Sequence, residues 1–475
     1  MEVLDGYNES CVTSLLTAIE GTVTATALPS IARNLDSREL YVWFVNAIFL
    51  SSAVVQPLFG QLADVFGRRW PCIFSVAVFA LGSGIAGGSN SASMLIGGRT
   101  LQGIGLGDVN MLIDIIVCDL VPQRKRGNIM GVIFAVFAAG SSLGPFIGGI
   151  LVDHSSWRWV FYLGLPVSGV ALLLLILFLQ VNYEKEATMM TKLKRLDYIG
   201  NAILVTSMVS ILIALTYGGT LRSWSSWRTI LPLVLGLFGM KEPVMPPRLF
   251  KNRTSAIAFV LVFLHGMILY WVTYFLPVFF QSILLSSPTR SGVQFLPTAI
   301  VVIPFAVIAG GLVTSTGRYK PLCIIGFSLQ SLSVGLFTTL NSSSSTAKWA
   351  IFQIISAAGI GLVTTSILPA VQVGLPESDI APSTATWGFL RSLGSIWGVP
   401  IPATVFNNQF ERSSGQVSDV DVQNMLHNGF AYEKARVWQI STIFACFGFV
   451  AAWGMRESKL KKSLETEFGM KKDEK

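Results

Sequence analysis

Apolar residues come in long blocks broken by short polar stretches, and the length of those blocks sets the class of protein. A helix needs ~20 mostly apolar residues to cross a bilayer. Blocks of that kind lie near 11–31, 42–61, 70–89, 92–117, 128–152 and 159–180, then 197–217 and 227–240. After a proline-rich basic segment, KEPVMPPRLFKNR, they resume at 255–283, 291–314, 321–340, 348–372, 384–406 and 436–455. The pattern predicts an all-α polytopic membrane protein of about fourteen spans. The eighth block is short: Trp227–Met240 gives roughly 21 Å of helix against a hydrocarbon core of about 30 Å, and it ends abruptly at Lys241.

Composition agrees. Of 475 residues, 52% are hydrophobic and 13% charged, and the mean hydropathy is +0.61; soluble domains carry roughly a quarter charged residues. A net charge of +8 would suggest nucleic acid in a soluble chain, but here its placement matters more, and no nucleic-acid partner is expected. With alternate loops assigned to the cytoplasm, 22 of the 34 lysines and arginines fall on that side and 10 opposite. Two, Arg99 and Arg391, fall inside spans. Excess Lys and Arg marks the cytoplasmic side, so both termini are placed inside. Cys11, Cys72, Cys118, Cys323 and Cys446 show neither a disulfide frame nor metal-ligand spacing. Met1–Ser10 lacks the basic start of a cleavable signal peptide.

The chain also repeats itself. Gly60, Leu62, Gly67 and Arg68 recur as Gly310, Leu312, Gly317 and Arg318. The string GIGL at Gly103–Leu106 returns at Gly359–Leu362, and Gly140, Gly144 and Pro145 are echoed by Gly394, Gly398 and Pro400. Three echoes in order at nearly one offset point to a duplication in which spans 1–6 correspond to 9–14, with two inserted between. The loop GQLADVFGRR, Gly60–Arg69, lies between spans 2 and 3. Its glycines let helix ends approach closely, and Asp64 can accept hydrogen bonds from an exposed helix N-terminus.

This loop resembles the signature loop of the major facilitator superfamily, and other motifs extend the resemblance over nearly the whole chain. AIEGTVTATALPSI (Ala18–Ile31) and VNMLIDIIVCDLVP (from Val109) are similar to spans 1 and 4 of fungal fourteen-helix drug:proton antiporters. RTLQGIGLG (Arg99–Gly107) resembles the span 4 motif tied to proton coupling, and GSSLGPFIGG (Gly140–Gly149) the span 5 antiporter motif of exporters. SSWRWVFYLGLP (Ser155–Pro166) resembles the entry to span 6, with Gly164 where asparagine is usual. Asp108 departs from the expected small apolar residue. The resemblance implies a facilitator fold of two six-helix bundles facing each other around a midplane site. That places residues 1–180 in the first bundle, 181–253 in two inserted helices and a basic linker, 254–455 in the second bundle and 456–475 in a charged tail. Similar transporters extend span 8 further, so a segment is expected to be missing between Met240 and Lys241.

Site residues follow from the same resemblance and from burial. A charge at the centre of a spanning helix costs about 2.5–3.5 kcal/mol on insertion scales, so it faces a partner or a wet cavity. From the helical rise, Arg99 lies about 10 Å and Glu20 about 16 Å below the outer surface, a gap that an arginine side chain bridges. The two form either a proton-coupling pair or a fixed structural ion pair. Asp114, lower in span 4, is a further coupling candidate or an inter-helix structural acid. Gly60, Asp64, Gly67, Arg68 and Arg69 are expected to form a gating loop that locks the outward-facing state. Gly140, Gly144, Pro145, Gly148 and Gly149 either set export direction or serve packing alone. Gln102, Tyr270, Trp271 and Tyr274 are candidate substrate contacts, although an aromatic run is also what an interface belt looks like. Asn341-Ser342-Ser343 is a glycosylation sequon in an expected outer loop.

Other signals fail on context. GSGIAG (Gly82–Gly87) matches a dinucleotide fingerprint but lies within an apolar span. GSSLG (Gly140–Gly144) matches a hydrolase elbow in the same way, with only His154, His265 and His427 to serve as base. No P-loop pattern occurs in the sequence. The reading is therefore a transporter and not an enzyme: a monomeric efflux pump for hydrophobic small molecules (drug, toxin or secondary metabolite), without cofactor and driven by the proton gradient. The plasma membrane is its expected location, with the vacuolar membrane as second choice. Uptake or exchange of a defined solute such as a siderophore or amino acid, and a non-transporting receptor, stand as alternatives.

The charge bias predicts that reporter tags at the C-terminus and beside Ser418 lie on opposite sides of the membrane. Protease protection in sealed vesicles checks this, and both tags on one side would refute the fourteen-span arrangement.

Overall fold

The computed structural model describes residues 2–37, 40–66, 69–120, 123–178, short pieces between 202 and 234, 247–376, 379–399, 401–402, 405 and 422–458, and every regular element among them is helical. The first group of helices is α1 (Glu2–Asn34), α2 (Tyr41–Phe66), α3 (Arg69–Gly87), α4 (Ala92–Leu120), α5 (Gln123–His154), α6 (Trp159–Tyr162) and α7 (Gly164–Phe178). The second group is α8 (Arg253–Ser282), α9 (Pro288–Thr316), α10 (Lys320–Phe337), α11 (Thr346–Gln372), α12 (Ile380–Trp397) and α13 (Val422–Trp453). Seven helical stretches among the described residues are long and apolar enough to cross a membrane. Expected spans 7 and 8 fall largely outside the described residues, as does the junction at Lys241.

Helix ends follow local chemistry. Asn252 caps α8 by accepting the Thr254 N–H (3.1 Å), and Ser287 caps α9 through the Arg290 N–H (3.2 Å) with Pro288 opening the helix. Helix α9 ends at Gly317 in the left-handed region (φ 70°), which the missing Cβ permits. Several boundaries differ from expectation. Helix α1 begins at Glu2 instead of near 11, and the last helix begins at Val422 instead of near 436, so helix continues into polar turns outside each apolar block. Span 6 is split at Leu163 into α6 and α7, and Gly164 packs there against Ser83 and Phe79.

Small residues set the packing. Gly140, Gly144 and Gly148 form one stripe of α5 against α1: an added Cβ would meet Ala18, the Thr22 hydroxyl and the Val23 carbonyl respectively. Gly394 and Gly398 of α12 do the same against Phe263 and Met267 of α8. That echo thus holds in three dimensions, each half seating its first helix on a glycine stripe. The GIGL echo is looser. Gly103 faces α2 (Ser51) and Gly105 faces α3 (Phe79), whereas Gly359 faces α10 (Gly326) and Gly361 faces α9 (Val302). The string match is shifted by two from the match in space: Gly105 and Gly107, which face α3 and α2 (Ser52), are the counterparts of Gly359 and Gly361. GSGIAG and GSSLG are helical throughout, in α3 and α5.

A Gly144→Val substitution forces a branched side chain into Thr22 and should cost about 1–3 kcal/mol by overpacking. Gly84→Ala, with nothing within 4 Å of an added Cβ, should stay within about 1 kcal/mol. Melting of the two purified variants beside the parent checks this; equal melting temperatures would remove the stripe as a packing determinant.

Candidate functional site

Helices α1, α3 and α4 bring four polar side chains together in an otherwise apolar interior. Arg99 Nη1 donates to Glu20 Oε1 at 2.7 Å and to Gln102 Oε1 at 3.1 Å, and its Nε donates to the Phe44 carbonyl at 2.9 Å. Gln102 Nε2 donates to Glu20 Oε1 at 2.8 Å and to Ser83 Oγ at 2.9 Å. The Phe161 ring lies 5.5 Å from the guanidinium carbon. Glu20 is 2% exposed, and Arg99 and Gln102 are 0% exposed. The motif spacing explains the geometry. Arg99 and Gln102 are three apart and share a face of α4. Gly103 and Gly105 bring α4 against α2 and α3.

The second half carries a weaker counterpart on corresponding helices. His265 of α8 meets Thr364 of α11 through Nε2 at 3.0 Å and Gln330 of α10 through Nδ1 at 3.3 Å. In sequence His265 is a failed catalytic base and a member of the aromatic run of span 9 that could line a pocket, and it does line the central cavity; its pairing with Gln330 and Thr364 has no linear signature, since the three residues lie on three helices.

Between the halves lies a cavity of about 90 Å³, with Thr17, Thr22, Phe49, Phe137 and Ser141 on one side and His265, Tyr270, Thr298, Trp387 and Arg391 on the other. A second cavity of about 560 Å³, touching Ser30, Arg33, Asp153, Gln281 and Pro288, lies toward the ends that the charge bias places outside. A seam divides the two. Tyr274 Oη donates to the Gly21 carbonyl (2.8 Å), Thr26 Oγ1 donates to the Pro145 carbonyl (2.9 Å), and the Thr289 N–H donates to Asp153 Oδ2 (3.0 Å). A Cβ at Gly149 would meet the Pro288 carbonyl at 2.6 Å, and one at Gly292 would meet Phe146 Cα at 2.7 Å.

The expected site residues divide accordingly. Glu20, Arg99 and Gln102 come together, with Gln102 in the ion-pair network instead of on the cavity wall. Tyr270 lines the cavity, its ring centre 4.6 Å from that of Phe49 in an edge-to-face pair. Tyr274 belongs to the seam, and Trp271 packs away from the cavity toward Phe444 (6.4 Å). Pro145 and Gly149 meet the opposite half, whereas Gly140, Gly144 and Gly148 face α1. Asp114 is within α4, but its side chain, like those of Gly60 and Asp64 in α2, lies outside the described set, as do Gly67 and Arg68. Arg69 Nη2 donates to the Ile176 carbonyl (2.8 Å). In the loop's echo, Gly317 ends α9 and Arg318 faces Glu457 at 3.8 Å. Asn341 is exposed in the α10–α11 turn, accepting the Ser343 N–H at 3.1 Å.

Paired helical halves around a central cavity, with a charge pair sunk in one of them, define a multi-pass membrane transporter and not an enzyme. The chain matches the Major Facilitator Superfamily over residues 10–399 and belongs to that family. It is 44% identical to the MFS-type transporter gkaD of Penicillium citrinum, over 98% of this chain and 86% of the relative. It is 43% identical to the MFS efflux transporter aclA of Aspergillus oryzae (98% and 91%) and 41% identical to the efflux pump FUS6 of Gibberella moniliformis (97% and 89%). The alignment to gkaD runs over 502 positions, more than the 475 residues here, so this chain lacks residues that the relative has. Among solved structures, the human organic anion transporter MFSD10 superposes with a TM-score of 0.65 at 16% identity, covering 94% of this chain and 99% of that one. The proton:xylose symporter XylE gives 0.63 at 17% identity, covering 97% of each. These two share the fold.

Proposed function

We propose that this transporter exports hydrophobic small molecules in exchange for protons, with Glu20 as the proton carrier. The observation that carries this reading is the position of Glu20: its carboxylate is buried against Arg99 and Gln102, on the helix whose next residue, Gly21, accepts the Tyr274 hydroxyl of the opposite half. The relatives named efflux transporters support the direction.

The chemistry follows from desolvation. With Glu20 ionised, its charge and that of Arg99 cancel and Gln102 bridges the two, while Arg99 Nη2 stays buried with no partner among the described residues. A proton arriving at Glu20 removes the anion and leaves a guanidinium with only the Phe44 carbonyl, Gln102 and the Phe161 ring. A buried charge stripped of its partner is worth about 3–5 kcal/mol of destabilisation. Relief comes from moving α1 relative to α4, and α1 cannot move without disturbing its Gly21–Tyr274 contact with the opposite half. Proton binding thereby biases the seam toward opening, and proton release toward closing. A ligand in the central cavity touches the same helix through Thr17 and Thr22. The missing residues relative to gkaD are assigned to the short eighth span.

Expressing cells should hold less of a transported dye than vector controls. In vesicles, Glu20→Gln should abolish dye movement driven by a proton gradient while dye binding stays measurable. Arg99→Ala should do the same, and Arg99→Lys should rescue only in part, since lysine keeps the charge but not the planar fork. Efflux is normalised to folded protein. Wild-type proton-driven efflux by Glu20→Gln would exclude Glu20 from coupling, and greater dye accumulation in expressing cells would overturn export.

A further inference from the structure

Among the described residues, one charged side chain lines the central cavity, and none of them gives it a counter-charge. Arg391 lies in α12, and among the described cavity-lining residues no Asp or Glu accompanies it. Its guanidinium carbon sits 4.5 Å from the Trp387 ring centre and 5.8 Å from that of Phe137, which belongs to the opposite half. The ion pairs among the described residues are Arg99–Glu20, Arg248–Asp379 and Arg318–Glu457, and none involves Arg391. No hydrogen bond is donated by its side chain to any described residue, although its backbone carbonyl accepts from Ser395 Oγ at 3.0 Å. Its origin is fixed: the Gly266 position of α8 abuts the Arg391 carbonyl, and Gly394 abuts that of Phe263. The guanidinium therefore leaves a rigid helix junction and points into the space where a substrate would sit.

We propose that the compounds this transporter moves carry an anionic group, a carboxylate or an equivalent acid, which docks on Arg391 while the aromatic cavity wall takes the apolar body. This rests on the export reading above and narrows its substrate class. A cation within a spanning helix must face a partner or a wet cavity. Aromatic faces compensate it only in part, and a guanidinium keeps five N–H donors in a planar fork that matches a carboxylate. Phe49 and Tyr270 offer flat apolar surface on the same cavity, and the Thr298 hydroxyl, which donates to Gln353 at 2.9 Å, keeps acceptor capacity for the rest of the molecule. Glu20 cannot supply the missing counter-charge, since it is buried against Arg99.

Four aromatic carboxylates of increasing size, each paired with its neutral carboxamide, test the idea by equilibrium dialysis against the full chain in lipid nanodiscs. At least one acid should bind tighter than its amide by about tenfold or more, the usual range for hydrogen bonds to a charged group. Arg391→Gln should erase that preference by weakening the acid alone, and Arg391→Lys should keep part of it. If Arg391→Gln fails to give a monodisperse, cooperatively melting protein, Arg391→Lys decides, since loss of the fork should still weaken the acid and spare the amide. No preference for any acid in the parent, an unchanged preference in the variants, or equal weakening of acid and amide would overturn the proposal. The last result would make Arg391 a clip between halves. Efflux of the same probes from cells is scored separately: export of the amides as fast as the acids leaves the transport reading standing without this one, whereas no export of either member by a folded parent removes the transport reading itself.

Discussion

Opposite charges buried side by side are kept only where the surrounding elements hold them in place, because taking each out of water costs several kcal/mol that good geometry alone returns. Arg99 and Glu20 meet that condition through three helices and a backbone carbonyl. Gln102 bridges both partners, Phe44 supplies an acceptor, and Ser83 fixes Gln102. The glycines around them serve this arrangement. Without Gly103 and Gly105, α4 could not come close enough to α2 and α3 to bury the arginine. The first bundle is in this sense built around a charge that must not see water while its partner is ionised.

The same constraint ties the ion pair to the contact between the halves. Helix α1 carries Glu20 on one side and, within six residues, Gly21, Thr22, Thr24 and Thr26 on others. Gly21 and Thr24 meet Tyr274 of the opposite half, and Thr22 and Thr26 meet Gly144 and Pro145 of α5 within the same half. A helix gripped this closely moves as a rigid rod, so displacement at the carboxylate is displacement at the seam. Interiors packed at this density switch between arrangements and do not deform smoothly, so under the proposed function a single proton would have an effect across the molecule.

How much of this was legible in sequence depends on whether the signal was linear. Helix positions were, since apolar block length fixes a span, and most boundaries fall within a few residues of expectation. The Arg99–Glu20 pair was legible because few charges occur in apolar blocks and helical rise gives their depth. The stripe of Gly140, Gly144 and Gly148 was visible as spacing, but not that Gly149, one residue on, faces the other half. Aromatic residues of α8 were the least legible. Tyr270, Trp271 and Tyr274 read alike in the chain, yet helical rotation turns Trp271 toward Phe444, while Tyr270 and Tyr274 stack on one face (6.2 Å) and their depths one turn apart put one at the cavity and one at the seam. The pairing of His265 with Gln330 and Thr364 gave no signal, because only tertiary packing brings their helices together.

The two intramembrane arginines show how a duplicated fold can divide its work. Arg99 is matched by a fixed acid on the neighbouring α1, so its charge is silent until that acid takes a proton. Arg391 is matched by no acid among the described residues and stands over Trp387 and Phe137 beside a cavity. A permanently unpaired cation in a closed apolar space would be expelled by its own desolvation; a cation beside a space that alternately fills with water and with ligand is tolerated, because each occupant solvates it in turn. The halves thus hold the same charge under opposite conditions, one beside a buried acid and the other beside a cavity. Because α1 lines that cavity and also bears Glu20, the two charges act on one moving part. A ligand that neutralises Arg391 while pressing on Thr17 and Thr22 would bias the same helix that protonation of Glu20 releases, and coupling then needs no direct contact between proton and cargo.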